Sequence, residues 1–68
     1  MMAKRRKLKL LRLTAELNQA EMAERCGVSK STYCMIEKGS YRGSIDFWKK
    51  VQQVFDLDGE QIWQMQQE

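Results

Sequence analysis

Leu17-Asn18-Gln19-Ala20-Glu21-Met22-Ala23-Glu24-Arg25-Cys26-Gly27-Val28-Ser29-Lys30-Ser31-Thr32-Tyr33 is the stretch on which the fold turns. Asn18 offers a side-chain oxygen where a helix begins, and Glu21 stands three positions later, so the two complete the spacing of a capping box. A helix from about Gln19 to Cys26 follows, with Met22, Ala23 and Cys26 on its inner side. Gly27 stops it, because glycine takes the left-handed conformation a helix end needs. Ser29, only two residues on, is the next N-cap, and a further helix covers about Lys30 to Lys38.

The rest of the chain reads as helix on either side. Leu10, Leu13 and Leu17 recur at three-to-four spacing and predict a first helix from about Ala3 to Ala15 with those leucines inward. Gly39 ends the third helix, and Ser40-Tyr41-Arg42-Gly43 forms a loop leading to the Ser44 cap of a fourth. That helix is expected to bury Ile45, Trp48, Val51, Val54 and Phe55, with Asp56 in a left-handed position at its end. Asp58 and Gln61 repeat the capping-box spacing and open a last helix carrying Ile62, Trp63 and Met65. The expectation is an all-α, five-helix single domain over residues 1–68, with a loose glutamine-rich tail at 66–68.

Composition narrows the class. A chain of 68 residues allows one domain, and 43% hydrophobic with 31% charged residues is a globular balance. No apolar run approaches the roughly 18 residues a membrane span needs, and the basic start lacks the apolar core of a secretory signal. Cys26 and Cys34 are the two cysteines, no histidine occurs, and the cysteines fall on different helices. Neither a disulfide framework, nor a metal site, nor a cofactor follows, and a reducing cytoplasm is the expected compartment. No carboxylate pair or activated nucleophile can be argued, so catalysis is not expected. The net charge of +3 is unevenly spread: Met1 to Arg12 holds six basic residues and no acidic one, while Gly43 to Glu68 holds two basic and five acidic. Such segregation suits a polyanionic partner, since Lys and Arg neutralise phosphate.

Two short helices joined by three residues including glycine form a helix-turn-helix pattern over about 19–38, whose second helix is shaped for the DNA major groove. At 100° per residue, Tyr33 and Ile36 point inward with Val28 just ahead of them. Ser31, Cys34, Met35 and Lys38 fall on the opposite side, with Lys30 at the N-terminal end. Lys30 suits guanine acceptors, Ser31 donates or accepts, and Met35 suits a thymine methyl.

The run quoted above, continued by Ile36-Glu37-Lys38-Gly39, resembles the DNA-binding domain of Cro/repressor-type helix-turn-helix regulators, among them the lambdoid phage repressors. The similarity runs from about Leu8 to Met65 and includes the Gln-x-x-x-Ala-x-x-x-Gly-Val-Ser core at Gln19, Ala23, Gly27, Val28 and Ser29. It implies a compact lambda-repressor-like fold. It places Lys30, Ser31 and Met35, with Cys34 and Thr32, against bases, and Asn18, Gln19, Lys38, Ser40, Tyr41 and Arg42 against phosphates. Arg12 and Glu37 match a family pair that bridges the first and third helices. Trp63 and Met65 stand near the last helix, where such domains pair across a two-fold axis, which makes a homodimer the expected state.

Four positions depart from the family. Glu16 replaces the usual glycine ahead of the second helix, which implies a less favourable left-handed residue there, or a different helix end. Gly43 replaces a common proline, which implies a more mobile loop. Met35 and Cys34 cannot make bidentate hydrogen bonds to bases, so DNA shape is expected to carry more of any specificity. The resemblance implies a double-stranded-DNA-binding transcriptional regulator, most like a small Cro-like repressor of a phage or mobile element, in the cytoplasm at the nucleoid. The alternatives are an antitoxin-like regulator with a protein partner, and an adaptor that uses Met35, Cys34 and Trp63 as a docking surface.

Overall fold

The computed structural model describes residues 4–68, and within them the chain is all helix and turn. The helices are α1 (Arg6–Thr14), α2 (Gln19–Arg25), α3 (Lys30–Lys38), α4 (Ile45–Phe55) and α5 (Gly59–Gln67). α2 packs on α3, α4 on α5, and α1 touches both α3 and α5. None of these helices is long and apolar enough to cross a membrane. α1 begins at Arg6; Ala3, where it was expected to begin, lies outside the described residues.

Capping chemistry sets the helix starts. Asn18 and Asp58 each accept from the backbone of the third helical residue and donate their own N–H to its side chain, giving two complete capping boxes with Glu21 and Gln61. Ser29 and Ser44 cap α3 and α4 through Thr32 and Phe47 backbone N–H groups. Two helix ends use left-handed residues other than glycine. Glu16 has φ 60° and Asp56 φ 52°. At Glu16 the bonds from Glu16 N to Leu13 O and from Leu17 N to Arg12 O close the end of α1.

The core collects Leu8, Leu17, Met22, Ala23, Cys26, Tyr33, Ile36, Phe47, Trp48, Val51, Ile62 and Met65, with Leu11, Val28, Phe55 and Leu57 packed against it. Four expectations are corrected here. Leu10 is 64% exposed and Leu13 is also exposed, because Arg5, Leu8 and Arg12 take the inward positions of the first helix and its approach. Ile45 is 74% exposed and Val54 faces out as well, whereas Phe47 is buried with Trp48 and Val51. Met65, expected beside Trp63 on a pairing surface, is buried at 8% exposure; Trp63 itself faces solvent. The terminal residues expected to be loose continue α5 to Gln67, and the Glu68 carboxylate accepts from Lys7 N at 2.7 Å.

A polar bridge crosses this core between α1 and α3. Arg12 Nε and Nη2 donate to Glu37 Oε2 and Oε1 at 2.9 and 3.0 Å, and both side chains are 9% exposed. Arg12 Nη1 also donates to Leu17 O, and the Tyr33 hydroxyl donates to Glu37 Oε2. Burial pushes the Glu37 carboxyl up, but the hydrogen bonds from Arg12 and Tyr33, with the Arg12 charge, outweigh it and hold the group below the usual carboxylate value. Burial and the Glu37 carboxylate raise the Tyr33 hydroxyl far above its ordinary value, so it remains a neutral donor.

Because Glu37 is the stronger acid in the folded chain, unfolded molecules take up more protons as pH falls. Its contribution is complete above the ordinary carboxyl value of 4.5 and is lost as pH drops through the lower folded value. Urea melts from pH 7 to pH 3 should therefore show stability falling in acid, with a shallower fall for Glu37→Gln. Removing one partner strands a buried charge: Arg12→Met should cost about 3–5 kcal/mol, and Arg12→Met with Glu37→Leu should recover most of that. At the left-handed helix end, Glu16→Gly should stabilise by about 1 kcal/mol, read as a rise in Tm of roughly 4–8 °C; an unchanged or lower Tm would show that Glu16 bears no strain.

Candidate nucleic-acid interface

α3 uses one side for the core and leaves the other free. Tyr33, Ile36 and Glu37 are buried, while Lys30, Ser31, Met35 and Lys38 are exposed along the opposite face. Cys34 is half-buried at the edge of this face. Thr32 is half-buried and turned to the helix start: its N–H donates to Ser29 Oγ, and its hydroxyl accepts from the same Ser29 Oγ at 3.0 Å. The exposed groups therefore offer one ammonium at each end of α3, one hydroxyl and one thioether, a set able to meet both phosphates and base edges.

The residues at the start of α2 divide between structure and surface. The Asn18 side-chain oxygen is taken by Glu21 N at 2.8 Å, while the residue as a whole stays exposed. Gln19 is half-buried, close enough to Glu37 to help hold its carboxyl ionised, and it reaches the surface in a cleft beside α3.

That cleft, about 430 Å³, is lined by Lys4, Arg6 and Lys9 from the N-terminal side, by Cys34 and Lys38 from α3, and by Gln19. Lys4, Arg6 and Lys9 are site residues that the sequence reading did not single out. The basic run was visible in the sequence, but which of its cations meet α3 depends on the Arg12–Glu37 bridge, which a one-dimensional pattern does not show. The acidic residues of the Gly43–Glu68 stretch lie on or beside α4 and α5, at Asp46, Asp56, Asp58, Glu60 and Glu68.

The loop after α3 exposes Ser40, Tyr41 and Arg42 while its backbone is tied inward. Ser40 N and Tyr41 N both donate to Met35 O. Tyr41 O accepts from Arg5 Nη1 at 2.9 Å, and Arg42 O accepts from Trp48 Nε1 at 3.0 Å. Gly43 was expected to loosen this loop by replacing proline. Instead it has φ +87°, and a Cβ there would lie 2.9 Å from Trp48 Nε1, so only glycine lets the indole reach Arg42 O. The side chains of the loop are thus left to solvent by a backbone that is already bonded.

The cysteines take separate roles. Cys26 is buried, and burial pushes its thiol up to about 11, leaving a protonated core residue. Cys34 is free and faces the basic cleft. Among the described residues no group of three His, Cys, Asp or Glu side chains is placed to hold a metal ion.

Residues 5–63 match the helix-turn-helix domain family. The chain is 31% identical over 68 residues to an uncharacterized HTH-type transcriptional regulator of Archaeoglobus fulgidus, with 88% of this chain and 96% of the relative covered. It is 37% identical over 57 residues to an uncharacterized HTH-type transcriptional regulator of Methanocaldococcus jannaschii, with 84% of this chain and 86% of the relative covered. No solved structure matches.

Proposed function

From the premise that this chain belongs to the helix-turn-helix domain family, of the Cro/repressor-like kind, we propose that it is a sequence-specific double-stranded-DNA-binding transcriptional regulator. It acts by occupying a promoter, as a small Cro-like repressor of the sort phages and mobile elements carry, and it catalyses nothing. The observation that carries this reading is the cleft in which Cys34 and Lys38, toward the C-terminal end of the free face of α3, meet Lys4, Arg6 and Lys9 of the N-terminal segment. α3 enters the major groove, where Lys30 and Ser31 meet base edges and Met35 packs on a thymine methyl, with Cys34 and Thr32 at the margin. Asn18, Gln19, Lys38, Ser40, Tyr41 and Arg42 meet phosphates, joined by Lys4, Arg6 and Lys9 across the cleft.

The functional unit in this reading is a homodimer that sets two α3 helices on neighbouring half-sites, and Trp63, 60% exposed on α5, is its candidate contact. The protein works in the cytoplasm, at the nucleoid. One observation favours an added protein partner, as in an antitoxin-like regulator or an adaptor: Leu10, Leu11, Leu57 and Met65 line an open apolar groove between α1 and α5.

Anisotropy titration of a labelled random-sequence duplex across a salt series tests the reading. Binding should weaken steeply, with a log-log slope of about −0.9 for each phosphate neutralised; binding indifferent to salt, or absent, contradicts it and favours the protein-partner alternative. Arg42→Glu should lower affinity by a similar factor for every duplex. Lys30→Ala should relax the preference at one base pair, with a loss of about 1–3 kcal/mol in discrimination, and an unchanged preference would remove Lys30 from the base-reading set.

A further inference from the structure

Arg5 is buried to 5% exposure, which is unusual for an arginine without a carboxylate partner. Its Nη1 donates to Ile36 O at 2.6 Å and to Tyr41 O at 2.9 Å, and its backbone N donates to Glu37 O. The guanidinium carbon lies 5.5 Å from the centre of the Trp48 ring, and Trp48 Nε1 in turn donates to Arg42 O. One side chain therefore joins the N-terminal segment, the end of α3, the loop and α4. It also lines both the basic cleft beside α3 and a second, polar cleft bounded by Arg42, Trp48 and Glu68.

This arrangement is expensive for the fold. Among the described residues Arg5 Nε is buried without a partner, and the nearby Arg42 charge adds to burial in disfavouring the cation, while Glu68 opposes them. An apolar residue would fill the same space without these penalties, but it would leave the Ile36 and Tyr41 carbonyls without this donor. What arginine adds is one terminal nitrogen, Nη1, that donates to carbonyls of both the α3 end and the loop, on a cation set over an indole that binds a third.

We propose that Arg5 is a positioning residue for DNA binding: from beneath, with Trp48, it fixes the Ser40–Arg42 backbone in the shape in which Tyr41 and Arg42 meet phosphate. The inference rests on the DNA-binding reading above. Holding the loop before contact removes an ordering cost from association, so Arg5 raises affinity for every sequence alike while touching no DNA itself. Its influence passes through the loop, and it is coupled to Arg42 for that reason.

The test is a double-mutant cycle on DNA affinity, measured by anisotropy on one duplex at several salt concentrations with wild type, Arg5→Met, Arg42→Ala and the double variant. Arg5→Met should weaken binding about tenfold on its own and much less in the Arg42→Ala background, and it should move the salt slope toward that of Arg42→Ala. Amide exchange gives a readout without DNA: Ser40 and Tyr41 should exchange faster in Arg5→Met, while Val51 in the core of α4 keeps its protection. Trp48→Phe keeps an aromatic ring at this place but removes the Nε1 donor together with part of the indole's volume, so it should show the same coupling to Arg42. It replaces Arg5→Met in the cycle if that variant does not fold. Strictly additive effects, or unchanged exchange at Ser40 and Tyr41, would overturn the proposal. Wild-type protein without salt-sensitive DNA binding would instead overturn the functional reading beneath it.

Discussion

An arginine and a glutamate buried side by side set the geometry on which the rest of this domain depends. Arg12 and Glu37 meet through two hydrogen bonds at 2.9 and 3.0 Å, and a two-bond fork fixes orientation in a way that apolar contacts do not. Tyr33 adds a third bond to Glu37, and Arg12 reaches Leu17 O at the turn before α2. The bridge therefore settles how α1, α3 and the approach to α2 sit together, at a desolvation cost that hydrophobic residues of similar size would avoid. In a chain of 68 residues, with total stability of roughly 3–10 kcal/mol, the penalty for stranding either charge would consume much of the margin.

The division of α3 into two faces follows from that bridge. Tyr33, Ile36 and Glu37 are committed to the interior, so Lys30, Ser31, Met35 and Lys38 face solvent. α1, held against α3 by Arg12, brings Arg6 and Lys9 to the cleft beside Cys34 and Lys38, with Lys4 just ahead of the helix. Beneath the C-terminal end of α3, Arg5 and Trp48 hold the loop carbonyls, and Gly43 supplies the space the indole needs. Three polar devices in the interior thus shape one outer surface.

Much of this was legible in the sequence wherever the chemistry is local. The Asn18–Glu21 and Asp58–Gln61 boxes, the Ser29 and Ser44 caps and the glycine after α2 act within a few residues, and the observed helix starts fall where those signals place them. Left-handed Asp56 was legible for the same reason. The misread positions are those where hydrophobicity alone was followed. On α1 the inward places belong to Leu8 and Arg12, and periodicity assigns charged residues to solvent, so Leu10 and Leu13 were placed inside. On α4 the choice between Ile45 and Phe47 depends on the angle at which the helix meets α3 and α5, which the sequence does not carry. Met65 was misread in the opposite direction: the family resemblance set it on a pairing surface, and it faces the core. Arg5 looked like one more cation of a basic run, because its partners are backbone carbonyls and have no sequence signature.

Family membership, the free face of α3 and the basic cleft all point to DNA as the partner, and that face carries Met35 with Cys34 at its edge. In the proposed reading, a helix without bidentate donors at those two places would rely on Lys30 and Ser31 to read bases and would give DNA shape a larger share of the discrimination. The most direct test is selection of bound duplexes from a random library at moderate salt, followed by sequencing. Enrichment of two inverted half-sites about one helical turn apart is expected of a dimer that reads sequence with α3. Recovery of duplexes with no enriched motif, or no recovery at all, would contradict it.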